Sequence, residues 1–162
     1  MESTKEIRSF EACLAGRHVA EIQLSYKSKV KPSLRPKISS SKDAYEILMS
    51  HWDESKIDFV EQFKVILLNR VNKVLGIYEV STGGVSGTVA DPKLIFGAAI
   101  KANSSGLILS HSHPSGNIQP SQADIALTRK IKDGGRLLEI PVLDHIIVTS
   151  EGYYSFADEG LL

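Results

Sequence analysis

Residues 107–131 read LILSHSHPSGNIQPSQADIALTRKI, and the order of residue types along this stretch decides the fold. The apolar run Leu107 to Leu109 predicts a buried strand. His111 and His113 follow two residues apart, so on a strand both imidazoles project to one face. Pro114 ends the strand because it has no N–H to give to a ladder. Pro114 to Pro120, with a glycine and an asparagine between, predicts a turn-forming loop. Ser121 is placed to cap a helix, with Asp124 at the third position of a capping box. The loop therefore folds the first helical turn back to the strand end that bears the histidines. Two imidazoles and a carboxylate can converge there, and three protein ligands with an open fourth position make a catalytic zinc site.

His-x-His by itself is common, and Ser-x-x-Asp by itself can be only a cap. The combination is more specific: an apolar strand, His-Ser-His-Pro, six residues, then Ser-x-x-Asp opening an amphipathic helix. This resembles the metalloprotease signature of the JAB/MPN (JAMM) family. The longer text HSHPSGN…PSQAD…T, with LLEIPVLDHIIV and SF downstream, is similar to the RadC branch, from about Ser40 to the C-terminus. The resemblance implies an α/β (α+β) fold: a mixed central sheet flanked by helices, like that of cytidine deaminase. It implies Zn2+ on His111, His113 and Asp124. It also implies a glutamate general base just ahead of a strand, some 50 residues before the first histidine. Glu61, in EQF, fits that place; a metal-activated water needs a nearby carboxylate to take its proton. An exposed strand-end glutamate is the plain alternative for Glu61, and Glu54 and Glu79 are other acids in range. Ser121 is the family's serine; its hydroxyl either donates to a tetrahedral oxyanion or only caps the helix.

Composition leaves room for this chemistry and restricts it. The 162 residues suit one domain with a real core, at 42% hydrophobic and 23% charged. Nineteen basic and nineteen acidic residues balance, so net charge gives no push towards nucleic acid. A single cysteine, Cys13, excludes an intrachain disulfide and a zinc held by a cysteine cluster. No apolar run approaches the ~20 residues of a membrane span. The N-terminus lacks the apolar core of a signal peptide. A soluble, cytoplasmic protein is expected.

Along the chain, His18 to Tyr26 alternates as a strand does. Lys27, Lys29, Lys31, Arg35 and Lys37 make the next segment basic. It is either an arm for phosphate or an acidic partner, or a solvated stretch stiffened by Pro32 and Pro36. Ser41 to Trp52 predicts a capped helix ending at His51, a surface residue rather than a ligand. Asp53 to Asp58 reads as a polar connection. Glu61 to Leu68 predicts a buried strand, with Lys73 to Val80 its hairpin partner. Ser81 to Gly87 is a glycine-rich turn without the lysine of a phosphate loop, and Thr88 to Ala90 could add a short strand. Asp91 and Pro92 start a helix that carries Leu94, Ile95, Ala98, Ala99 and Ala102 at helical spacing. The helix from Ser121 is expected to run to about Lys132, with Gly134 and Gly135 as its C-cap. Ile140 to Thr149 predicts a last core strand. Asp144 and His145 are adjacent on it and face opposite ways, so they cannot both be ligands; a supporting or packing role is expected. Tyr153 to Phe156 closes the sheet.

These readings divide the chain into an N-terminal strand and basic arm, 1–39, and a RadC-like JAB/MPN domain, 40–162. The expected function is zinc-dependent hydrolysis of a peptide or isopeptide substrate. The alternative is a DNA-repair-associated or protein-interaction module without turnover. Full-length members of the resembled group carry an N-terminal helix-hairpin-helix module for DNA, and residues 1–40 lack its paired Gly-x-Gly turns. Direct DNA binding is therefore the weaker expectation, and the oligomeric state is left open.

Overall fold

The computed structural model describes residues 20, 23, 25–84 and 89–162. Helix α1 (Ser41–Ser50) and the one-turn α2 (Glu54–Ile57) precede a hairpin of β1 (Gln62–Leu68) and β2 (Val74–Thr82). Then come α3 (Pro92–Lys101), β3 (Gly106–Ser112), α4 (Gln122–Leu137), β4 (Val142–Val148) and β5 (Tyr153–Ser155). The sheet order is β2-β1-β3-β4-β5. β3 and β4 are parallel, joined through α4, and the other neighbours are antiparallel. This is the mixed sheet with flanking helices that the sequence implied.

Strand parity sorts the core into two layers. Phe63, Val65 and Leu67 of β1 face Ile95, Phe96 and Ala99 of α3 and Ile131 of α4. Ile66 and Leu68 face Ala44 and Leu48 of α1, with Trp52 and Ile57 beyond. All seven residues of β1 are buried, because it lies between β2 and β3. The charged exception, Lys64, has its Nζ 4.5 Å from the centroid of the Trp52 ring and 3.5 Å from Glu79 Oε2. A cation over an aromatic face with a carboxylate beside it keeps that burial tolerable.

One irregularity positions the site. Leu107 pairs with Val142, but Ile108 pairs with Asp144, so Leu143 is an extra residue in β4. A one-residue bulge reverses the facing of everything after it. Val142 therefore packs with the α3–α4 layer, while Ile146 and Val148 pack with the α1 layer. His145 is turned to the α4 side, and Asp144 to the other.

Several local expectations are corrected. Asp53 to Asp58 is no plain connection: Asp53 accepts the Ser55 N–H and caps α2. Ser81 and Thr82 belong to β2, and Ala90 to no strand; residues 85–88 lie outside the described residues. Leu94 is 49% exposed, and Phe96 takes the buried place on α3. Helix α4 does not stop at Lys132 but continues through both glycines to Leu137. Gly134 and Gly135 are there for close approach. A Cβ on Gly135 would lie 2.5 Å from the Ile140 carbonyl oxygen, and one on Gly134 would lie 2.9 Å from Phe96. The left-handed residue past the helix end is Glu139, at φ 57°. The expected strand at His18 to Tyr26 falls mostly outside the described residues; Ser25 and Tyr26 are in no strand. The basic segment after it runs beside the start of β2. Ile38 N–H donates to Asn72, Val74 N–H to Pro36, and Tyr26 Oη to Leu75.

Candidate metal centre

His111 is the penultimate residue of β3, and His113 follows the strand's end. His113 N–H donates to the Val148 carbonyl at 3.0 Å, which continues the β3–β4 pairing and keeps both imidazoles on one side. Behind His113 the loop makes a turn at Gly116, whose φ of +77° suits a residue without Cβ. This turn brings the Asn117 carbonyl to 2.6 Å from His113 Nδ1. A carbonyl only accepts, so Nδ1 carries the proton and a neutral His113 offers the lone pair of Nε2.

Asp124 arrives through the predicted capping box. Its Oδ2 accepts from the Ser121 N–H at 2.7 Å and from the Ser121 hydroxyl at 2.6 Å, while Asp124 N–H returns a bond to Ser121 Oγ at 3.1 Å. The cap thus holds one carboxylate oxygen and turns the other inward. Oδ1 lies 3.3 Å from His111 Nε2, and Oδ2 lies 3.7 Å from His113 Nε2. The two Nε2 atoms are 2.9 Å apart. Ligand atoms around a tetrahedral ion with bonds of about 2.0 Å sit about 3.3 Å apart. The observed spacings bracket that value, so this donor set fits a small divalent cation.

Glu61 sits immediately before β1, where the sequence reading put it. Its carboxylate and one nitrogen from each of His111 and His113 all lie within 4.8 Å of one another. Glu61 N–H donates to Gly84 and its carbonyl accepts from Gly83, so its backbone is fixed to the end of β2. The other acids are elsewhere. Glu79 is engaged by Lys64 and Thr82, and Glu54 is exposed on α2. His51 is exposed at the end of α1, its Nδ1 3.0 Å from the Ile47 carbonyl. A cavity of about 570 Å3 opens elsewhere, between β2 and α3, but among the described residues its walls are largely apolar and hold no carboxylate or imidazole.

The electrostatics of the cluster are those of closely spaced opposite charges. Burial works to raise the Asp124 pKa, but the facing His111 and His113 imidazoles, at 3.3 and 3.7 Å, outweigh it and hold the carboxyl well below the ordinary range. The Asp124 carboxylate raises the His113 pKa, against partial burial. Burial raises the Glu61 pKa despite the neighbouring histidines, which suits a group that takes a proton. Desolvation pushes the wholly buried His145 well below its ordinary value.

A family model described as RadC-like JAB domain matches residues 38–161. The chain belongs to the RadC-like JAB domain family. Its curated relatives include a UPF0758 protein of Flavobacterium johnsoniae, 42% identical over 88% of this chain and 62% of that protein. Another, from Desulfitobacterium hafniense, is 40% identical over 81% of this chain and 56% of its own length. A third, from Porphyromonas gingivalis, is 45% identical over 63% of this chain and 45% of its own length. The chain thus spans about three fifths of the length of the first two. Membership of a JAB family and the histidine–glutamate cluster together fit a metal-dependent hydrolase. Among the described residues no helix of this RadC-like domain is long and apolar enough to cross a membrane.

Two groups behind the centre, Thr128 and Asn117, stand in the quoted family text, but the sequence alone assigns them no role. Thr128 lies one helical turn after Asp124, so the i, i+4 spacing puts it on the same face. Asn117 acts through its backbone carbonyl, and no residue type signals that. His145 was expected to support or pack, and it lies 2.8 Å from His111.

Proposed function

We propose that this RadC-like JAB domain is a zinc-dependent hydrolase of amide or isopeptide bonds. In this reading His111, His113 and Asp124 hold the metal and Glu61 is the general base. The observation that carries it is the convergence of two imidazole Nε2 atoms and a carboxylate at 2.9 to 3.7 Å, with the partly buried Glu61 beside them.

When bound, zinc supplies a Lewis acid that brings the pKa of a water down to about 7. Glu61 takes the proton of the attacking water on its carboxylate and returns it to the leaving amine nitrogen. Burial favours its protonated form and so lowers the cost of holding that proton between the two steps. Ser121 has its hydroxyl proton committed to Asp124 Oδ2 at 2.6 Å, which supports the capping role over donation to an oxyanion. His111 and His113 are held from behind, so neither ring swings as substrate enters. A peptide or isopeptide is the proposed substrate class.

The test is metal content after purification without chelator, together with turnover on a peptide and isopeptide panel. About one zinc per chain is expected in the wild type and in Glu61→Gln, and none in His113→Ala. Glu61→Gln is expected to abolish turnover. Absence of metal from the wild type, even after zinc is offered, would sink the hydrolase reading. Zinc without turnover on any substrate would favour a DNA-repair or protein-interaction module.

A further inference from the structure

Behind His111 a chain of three contacts runs away from solvent. Thr128 Oγ1 lies 2.6 Å from the Asp124 carbonyl oxygen and 2.6 Å from His145 Nδ1. His145 Nε2 lies 2.8 Å from His111 Nδ1. Thr128, His145 and His111 are 3%, 0% and 1% exposed. Phe156 stacks on the His145 ring at 4.7 Å and Phe63 meets its edge at 5.7 Å.

The protons in this chain can be placed one by one. The Asp124 carbonyl only accepts, so an approach of 2.6 Å consumes the Thr128 hydroxyl proton. Thr128 Oγ1 then meets His145 with a lone pair, and His145 Nδ1 must carry a hydrogen. A second proton on His145 would place an imidazolium between two phenyl rings with no exposed surface, an expensive burial of charge. His145 Nε2 is therefore bare, and only His111 Nδ1–H can fill the 2.8 Å contact. The opposite tautomer of His111 would set two lone pairs face to face there.

We infer that Thr128 and His145 are positioning residues that hold His111 in its Nδ1–H form, so that its bare Nε2 is presented to a divalent cation. This rests on the metal-site reading above. The Asn117 carbonyl does the same for His113 from the other side. With His113 neutral, two Nε2 lone pairs face each other at 2.9 Å, an arrangement that a shared cation relieves. A helix hydroxyl, a buried imidazole and a loop carbonyl thus order the site before any metal arrives. Such outer partners are worth roughly 10–100-fold in metal affinity.

The test pairs a disruptive with a conservative variant at each position. His145→Phe keeps the ring and its stack and removes both hydrogen bonds. His145→Gln keeps an acceptor for His111 and a donor for Thr128. Thr128→Val removes the hydroxyl, and Thr128→Ser restores it. Histidine tautomers are read by long-range 1H–15N NMR on chelator-treated protein, and zinc affinity by chelator competition. Wild type is expected to show His111 as Nδ1–H. His145→Phe and Thr128→Val are expected to lose that form and about 10–100-fold in zinc affinity. Gln at 145 and Ser at 128 are expected to recover most of it. Folded His145→Phe with wild-type tautomer and affinity would overturn the inference. If His145→Phe does not fold, equal affinities for Thr128→Val and Thr128→Ser would overturn it instead. A wild type that shows the Nδ1–H form but takes up no zinc would overturn the metal reading and leave the relay standing.

Discussion

Ser112 Oγ accepts the backbone N–H of Gln62 at 3.0 Å, and both residues are fully buried. The same hydroxyl donates to the Val60 carbonyl at 3.3 Å, so it holds the backbone on either side of Glu61. Ser112 thus faces away from His111 and His113, as alternation on β3 requires, and braces the third member of the cluster. Ser112→Ala leaves the Gln62 N–H buried without a partner, which costs about 1–3 kcal/mol. Urea unfolding measures that loss. Zinc content is expected to stay at the wild-type level while turnover falls, because the metal-holding side chains are untouched and Glu61 is loosened. Loss of zinc in this variant would contradict the assignment of Ser112 to Glu61 alone.

In chelator-treated protein the stabilisation that His113 contributes should be smaller at alkaline pH. The His113 pKa is raised chiefly by the Asp124 carboxylate 3.7 Å away, and the Asp124 pKa is lowered because the attraction of His111 and His113 outweighs its burial. For His113 the stabilisation is fully present below its unfolded pKa of about 6.5 and is lost as pH rises through the higher folded value. For Asp124 it is present above about 3.9 and is lost as pH falls through the depressed folded value. The two describe one ion pair, whose contribution to the metal-free protein is greatest between these limits. Denaturant midpoints of wild type and His113→Ala should differ more at pH 5.5 than at pH 8.5; the buried His145, whose pKa is depressed, acts in the opposite sense in both proteins and cancels in that comparison. A difference that is equal or larger at pH 8.5 would refute the pair.

Two glycine substitutions in helices should have opposite signs. Gly135→Ala would place a Cβ 2.5 Å from the Ile140 carbonyl, where backbone must shift, at about 1–3 kcal/mol. Gly97→Ala in α3 meets nothing within 4 Å and should stabilise by about 0.5–1 kcal/mol, since alanine loses less backbone freedom in a helix. Thermal unfolding of the two variants checks both. Equal effects would mean that Gly135 is not a packing contact.

The legible parts of this molecule are those written in local chemistry. Strand β3, the turn after Pro114, the Ser121–Asp124 capping box and the start of α3 at Asp91–Pro92 all depend on neighbours within four residues. Residue type and spacing therefore carry them. Gly134 and Gly135 show where local rules mislead. Glycine after a run of basic residues is a common helix end, but here the missing Cβ admits Phe96 from α3 and the Ile140 carbonyl from the next connection. Neither partner is visible from within the helix.

The sequence by itself determined that His111, His113 and Asp124 could meet, because a strand of period two, a proline-bounded loop and a capped helix leave them little alternative. It placed Glu61 only through likeness to a family. Tertiary structure alone decided what stands behind the histidines. The extra residue Leu143 in β4 turns His145 towards α4, and the parallel pairing of β3 with β4 sets it opposite Leu109, within reach of His111. A bulge leaves no mark in composition, and a one-residue shift of register reverses every side chain beyond it. The facing of His145 was therefore settled by the pairing of two strands with a whole helix between them.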